Sequence, residues 1–229
     1  MSPVVSLLLL SLAVPMSAAL LAAAAPAHAI GLEAKYLVGR TLALLALIAL
    51  APVLLAVALA VRASSRGPVL FRQERVGEGG ERFAMLKFRS MRAADDAAVA
   101  SFVPTGGAAP GGIEGADRRT PVGRFLRRTS LDELPQLWNV VRGDMCLVGP
   151  RPERPEHVDR FSGEIPGYAA RHRVRVGLTG LAQVEGARGA GSCIATRAQL
   201  DNAYIDQWSL ALDARILGRT VGAVLRGAE

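Results

Sequence analysis

Two adjacent carboxylates, Asp132 and Glu133, stand in the run Arg127-Arg128-Thr129-Ser130-Leu131-Asp132-Glu133-Leu134-Pro135-Gln136. Acids that directly follow a cluster of arginines suit phosphate chemistry. The arginines hold the anion, and an ionised carboxylate beside it serves as nucleophile or metal ligand. The local pattern predicts how the pair is presented. Ser130 followed by Glu133 reads as a capping box, and Pro135 is tolerated only near the first turn of a helix. A helix is therefore expected to begin close to Asp132, run through Leu134, Leu137, Trp138 and Val141, and stop at Gly143. Both carboxylates then lie at unpaired backbone N–H groups, which favour their ionised forms and bind phosphate. Acidic residues are also ordinary in the first turn of helices without any function. The pair alone leaves both readings open.

The elements that must position the pair begin with apolar chain. No Asp, Glu, Lys or Arg occurs before Glu33. Val4 to about Ala25 is long enough to span a bilayer. Ala27-His28-Ala29 resembles a signal-peptidase site, but the positive n-region of a signal peptide is missing. An uncleaved membrane segment is the expectation, with cleavage or a mis-assigned start as alternatives. A second apolar segment, Thr41 to Val61, carries no charge and has Ala51-Pro52 at its centre, where proline breaks the hydrogen-bond ladder. Lys35 and Arg40 precede it; Arg62, Arg66, Arg72 and Arg75 follow it. The positive-inside rule places both ends on the cytoplasmic side. A re-entrant hairpin satisfies that rule, and a proline-kinked spanning helix is the alternative.

Beyond Arg66 the chain reads as soluble. Val69 to Val76 and Arg82 to Phe88 are expected strands of a hairpin around Gly77-Glu78-Gly79-Gly80. Ala93 to Ala116 is a long Gly/Pro-rich loop. Thr120-Pro121 starts a short helix through Arg128, with Val122, Phe125 and Leu126 on one face and Arg124, Arg127 and Arg128 largely away from it. Gly149-Pro150-Arg151-Pro152 is a rigid turn presenting one guanidinium. Arg171, Arg173 and Arg175 alternate with His172, Val174 and Val176, as in an extended segment with one basic face. Gly177-Leu178-Thr179-Gly180 reads as a turn whose glycines admit a ligand. Two helices follow from Thr196, divided near Ser209, the second with Leu212, Ile216, Leu217, Val221, Val224 and Leu225 on its apolar face.

Composition narrows the partners. The 229 residues carry a formal charge of +7 and a pI near 10.4, which suits anionic lipid headgroups, phosphorylated substrates or nucleic acid. Aromatic residues are only 5 % of the chain, which argues against single-strand nucleic-acid binding by stacking. Cys146 and Cys193 are expected as free core thiols of a reducing compartment. His28, His157 and His172 form no recognisable ligand set. No Walker loop, Rossmann fingerprint or HExxH motif is present.

From Lys35 to about Arg226 the chain resembles the bacterial sugar transferase family, small monotopic phosphoglycosyl transferases acting on polyprenyl phosphate. The resemblance rests on Gly67 through Gly77, on Lys87-Phe88-Arg89-Ser90-Met91, and on Gly123 through Arg127. It continues through Ser130 to Gln136, Gly143-Asp144-Met145, Leu147 through Pro152, and Gly177 through Gln183. Asp201 with Tyr204 and Ser209 with Asp213 complete it. The resemblance implies transfer of a sugar 1-phosphate from a nucleoside diphosphate sugar, usually a UDP-sugar, to undecaprenyl phosphate, with release of UMP. This is the first membrane step of bacterial polysaccharide or glycoconjugate synthesis. The reaction runs through a covalent phosphosugar on the aspartate, a role that falls on Asp132. Glu133, with Asp132, would hold Mg²⁺. Arg127 and Arg151 are the leading phosphate contacts; Lys87, Arg89 and Asp201 are further phosphate or nucleotide contacts. A catalytically silent membrane scaffold of the same fold is the alternative.

The implied architecture is α+β. A mainly helical, membrane-associated catalytic domain with a small β-hairpin is anchored by a re-entrant, proline-broken membrane helix. Residues 1–32 form the N-terminal hydrophobic segment, 33–66 the re-entrant hairpin and 67–229 the catalytic domain, which faces the cytoplasm from the bacterial inner membrane. Membrane lipids are expected partners, nucleic acid is not, and a homo-oligomer is compatible with the reading. The family's re-entrant helix breaks at Ser-Pro; here Ala51 stands before Pro52, so the proline is kept and the hydroxyl is lost. Further departures are Lys35-Tyr36 in place of a Lys-Arg pair, Val176-Gly177 in place of Pro-Gly, and a slightly shorter loop near Asp117-Arg118-Arg119-Thr120.

Overall fold

A computed structural model describes residues 30–92, 117–187 and 192–226. The expected apolar segment ahead of Ile30 and the expected long loop at 93–116 lie outside the described residues. The chain divides into a unit ending at Val38 and a unit running from Gly39 to Glu229.

Two helices, α1 (Ile30–Ala49) and α2 (Ala51–Ser64), meet at a bend of 65°. Pro52 lies in the first turn of α2. It has no N–H to give to the turn before it, and its ring crowds the carbonyl four residues back. The bend therefore falls where the sequence places the proline. No single described helix is long and apolar enough to cross a membrane; the bent pair passes that test by length and composition.

The hairpin forms as expected. Strands β1 (Leu70–Val76) and β2 (Arg82–Phe88) are antiparallel, with Leu70 opposite Phe88 and Val76 opposite Arg82. Strand β2 is the element on which the rest is hung. Its Phe88 packs with Val57 and Val61 of α2 and with Leu126 of α3 (Pro121–Arg128). Its Met85 packs with Ala43 of α1 and with Leu137 and Val140 of α4 (Gln136–Arg142). Side chains alternate along a strand, so Lys87 shares the face of Met85, the face turned to α4. The open edge of β2 is closed by Asn139. Its Oδ1 accepts from Leu86 N at 3.0 Å and its Nδ2 donates to Ala84 O at 2.8 Å, which satisfies backbone groups that no strand pairs.

Helix α3 starts as expected: Thr120 Oγ1 accepts from Gly123 N at 2.9 Å, an ordinary side-chain cap. Its Leu126 is buried, while Phe125, assigned to the same face, is half exposed. The helix expected at Asp132 is different. Leu131–Glu133 is a single 3₁₀ turn and α4 begins only at Gln136. Ser130 has φ 55, a left-handed conformation, and its side chain makes no capping bond. The capping box is thus absent: a cap residue has extended backbone, and Ser130 is left-handed. Gly143 does stop α4, with φ 97.

The second sheet was not anticipated. Strands β3 (Cys146–Val148) and β4 (Gly177–Thr179) pair in parallel, with Cys146 opposite Gly177 and Val148 opposite Thr179. The connection between them carries α5 (Pro155–Glu164) and a 3₁₀ segment at Tyr168–His172. The expected extended segment with a basic face at 171–175 instead begins in that 3₁₀ segment, and the expected turn at 177–180 is a strand over Gly177–Thr179, with Gly180 capping the next helix. The glycines there admit backbone rather than a ligand: a Cβ on Gly177 would lie 2.1 Å from Gly149 N. The short α6 (Leu181–Val184), then α7 (Ile194–Asp206) and α8 (Leu210–Arg226), complete the fold. The last two divide at the expected place. Ile216 of α8 is buried, whereas Leu217 and Val221 are exposed. Cys146 is a buried free thiol as expected, but Cys193 is exposed at the start of α7.

Candidate functional site

The 3₁₀ turn delivers Asp132 and Glu133 to the β2 face. Glu133 Oε1 accepts from Lys87 Nζ at 2.7 Å and from Arg151 at 3.4 Å. All three side chains are largely but not wholly buried, at 17 % exposure for Glu133, 18 % for Lys87 and 24 % for Arg151. Asp132 is 7 % exposed. Its carboxyl is raised to about 6, first by burial and then by the Glu133 charge, against the pull of Lys87 and Arg127. Burial likewise holds the Lys87 ammonium below its usual value, against the pull of Glu133. Raised acids beside desolvated cations mark sites more often than they mark plain surfaces.

Several of the helix-start amides are taken up by neighbouring carbonyls. Glu133 N donates to Ser130 O, Leu134 N to Leu131 O, and Trp138 N to Pro135 O. Those donors are used within the turn, and the positive charge around the pair lies on the side chains of Lys87, Arg127 and Arg151.

Arg151 is held by its backbone. Arg171 donates to Arg151 O at 2.7 Å, Arg75 to Pro152 O at 3.1 Å, and Tyr204 to Val148 O at 3.0 Å. Beneath this turn, Glu153 joins Arg197 at 2.6 Å and Arg75 at 3.8 Å. Neither Asn139 nor the Glu153–Arg197 pair was singled out from sequence. The one signal was a polar residue inside an apolar helical run, or an acid inside an arginine–proline turn.

Two expected phosphate contacts lie elsewhere. Arg89, one residue past the end of β2, leaves the strand face and reaches the last turn of α2. There it donates to Ser65 O at 2.7 Å, to Val61 O at 3.3 Å, and to Pro68 O. Such bonds satisfy the orphan carbonyls of a helix end. Asp201 is 1 % exposed and receives Arg171 through Nε at 3.0 Å and a terminal nitrogen at 2.6 Å. Burial and that fork commit it to the interior. The structure thus joins Glu133, Lys87 and Arg151 in contact, keeps Asp132 and Arg127 within electrostatic reach of that group, and places Arg89 and Asp201 elsewhere.

A profile of the family described as bacterial sugar transferase matches residues 31–227. The chain belongs to the bacterial sugar transferase family. Among known sugar transferases it is 48 % identical, over 76 % of its length, to the UDP-glucose:undecaprenyl-phosphate glucose-1-phosphate transferase of Caulobacter vibrioides. It is 46 % identical, over 84 % of its length, to the protein of that name from Xanthomonas campestris pv. campestris. An exopolysaccharide production protein of Sinorhizobium fredii is 38 % identical over 80 % of the chain. The aligned part spans 63 %, 39 % and 81 % of those three proteins.

Proposed function

We propose that this chain transfers a sugar 1-phosphate from a UDP-sugar to undecaprenyl phosphate and releases UMP. The observation that carries the reading is the buried Asp132 beside a Glu133 gripped by Lys87 and Arg151. The likeness to UDP-glucose:undecaprenyl-phosphate transferases supports the choice of substrates. An Asp132 carboxylate oxygen attacks the phosphorus that bears the sugar. The bond from that phosphorus to the UMP phosphate oxygen breaks, and UMP leaves with the electron pair. An acyl phosphate now joins Asp132 to the sugar phosphate. The undecaprenyl phosphate oxygen attacks the same phosphorus and frees the carboxylate. Lys87, Arg127 and Arg151 offset the repulsion between anionic reactants.

Magnesium suits the donor set. It is commonly held by one or two carboxylates together with substrate phosphates, and Asp132 with Glu133 supplies that number. The described residues contain no larger cluster of metal-ligating side chains. When bound there, the ion would neutralise charge on the phosphates.

The bent pair α1–α2 is read as a re-entrant anchor in the bacterial inner membrane, with the catalytic body on the cytoplasmic side. Leu42, Leu45 and Ile48 on α1, and Leu55 and Leu59 on α2, are exposed. An apolar patch of this kind calls for a lipid or protein cover. Purified protein with Mg²⁺, UDP-glucose and undecaprenyl phosphate is expected to release UMP. Absence of release across a panel of UDP-sugars sinks the transferase reading and favours a silent scaffold. For the anchor, single cysteines placed by Arg40→Cys and Arg62→Cys, in a chain lacking Cys146 and Cys193, are expected to be labelled from the cytoplasmic side alone. Labelling from opposite sides overturns the hairpin.

A further inference from the structure

Gln136 opens α4, three residues after Glu133 and three before Asn139. Asn139, three residues on within α4, shares its helix face. Glu133 meets Lys87 of β2, and Asn139 meets Ala84 and Leu86 of the same strand. Gln136, on the helix face of Asn139, is therefore on the side of α4 that packs on β2. It is 2 % exposed, and its Nε2 has no hydrogen-bond partner. Helical side chains lean back over the preceding turn, which here is the turn of Asp132 and Glu133. A buried amide donor without an acceptor is costly and calls for an explanation. Asn139, on the same face one turn on, has both ends of its amide satisfied.

We infer that the missing acceptor is a non-bridging oxygen of the phosphoryl group transferred at Asp132, so that Gln136 is a phosphoryl-contacting residue. The inference rests on the transferase reading above. Its chemistry follows from the neighbours. Lys87 and Arg151 already supply positive charge and are drawn to Glu133. A phosphoryl group bonded to an Asp132 oxygen brings new acceptors to the same turn. A neutral N–H can bind them without adding a further cation beside the nucleophile, whose ionised form is the attacking one. The bond exists only once the phosphoryl group has arrived, so it favours the transferring state over the empty one.

The test compares wild type with Gln136→Met and Gln136→Leu, which fill the same space without the amide. Melting temperature is measured without donor, and the first burst of UMP is timed with UDP-glucose and Mg²⁺ alone. Both variants are expected to melt at or above the wild-type temperature, because an unpaired buried amide has been removed. Their burst rate is expected to fall about 10- to 100-fold, the loss of a hydrogen bond to a charged group, with little change in the donor KM. A wild type that releases no UMP defeats the transferase reading itself. A wild-type burst matched by both variants overturns the Gln136 inference alone. A fall in melting temperature that parallels the fall in rate also overturns it, because the amide then has a partner inside the protein.

Discussion

Asp132→Asn is expected to abolish UMP release and, at the same time, to make the folded protein more stable at neutral pH. The first effect follows from the chemistry: an amide oxygen is a poor nucleophile towards phosphorus, and loss of a covalent nucleophile costs at least about 10³-fold in rate. The second follows from burial. The carboxyl stands at about 6 in the folded chain, chiefly because burial disfavours its charge. The unfolded value is near 3.9. A raised acid binds its proton more tightly when folded, so ionising it costs stability as pH rises through that window. The cost is absent below about pH 4 and complete above about pH 6; at 1.4 kcal/mol per pH unit it comes to roughly 2–3 kcal/mol. Thermal melts of wild type and Asp132→Asn at pH 8 should therefore differ in favour of the variant, with the gap closing as pH falls towards 4. Activity with donor should fall in the wild type as pH drops through about 6. A variant that melts below wild type at pH 8 would show that Lys87 and Arg127 outweigh burial. Retained UMP release would remove Asp132 from the nucleophile role.

Local rules carried the reading of the hairpin, of the Thr120 cap, of the Gly143 stop and of the break near Ser209, because each is decided within a few residues of sequence. The site was legible to the extent that it is also local: Asp132 and Glu133 are neighbours in the chain. What brings Lys87 and Arg151 to them is not local. Lys87 and Arg89 are two residues apart and chemically alike. Yet one stands on the strand face covered by α4, and the other, past the strand end, caps α2. A basic side chain that meets a carboxylate and one that meets backbone carbonyls look the same until the tertiary partner is known. The parallel β3–β4 pair was hidden for a related reason. Each strand is three residues long, too short for alternation to register, and the partners are joined only through a helical crossover. The arginines at 171, 173 and 175 mimicked an extended segment with one basic face because their spacing was read without their partners, Asp201, Asp206 and Glu78. Ser130 shows the limit of a motif: its residue type fits a cap, but the left-handed backbone there spends the residue on a sharp entry to the 3₁₀ turn.

Glu153→Gln is expected to cost more stability than any surface change, and the reason lies beneath the Arg151 turn. Glu153 is 2 % exposed, is ion-paired to Arg197 and lies beside Arg75. Its backbone oxygen also accepts from Val76 N at 2.9 Å. Burial alone would raise its carboxyl, but Arg197, Arg171 and Arg75 outweigh that and hold it below the usual carboxylate range. An acid lowered in this way stabilises the fold above its unfolded value, and the contribution is lost as pH falls through the folded one. The glutamine variant removes the carboxylate to which Arg197, itself fully buried, is ion-paired. Breaking a buried pair in this manner costs about 3–5 kcal/mol. Urea unfolding at pH 7.5 should show that loss, and the gap from wild type should narrow in acid. Arg197→Met added to Glu153→Gln should recover part of the loss, because the buried guanidinium charge is then gone as well. The same change should slow sugar-phosphate transfer, since Pro152 and Arg151 are pinned through Arg75 and Arg171, which face Glu153. Unchanged unfolding in Glu153→Gln would mean that the buried cluster is not what fixes the Arg151 turn. The loop that presents a guanidinium to Glu133 would then owe its shape to its prolines and to the bonds on its backbone from Arg171, Tyr204 and Gly177.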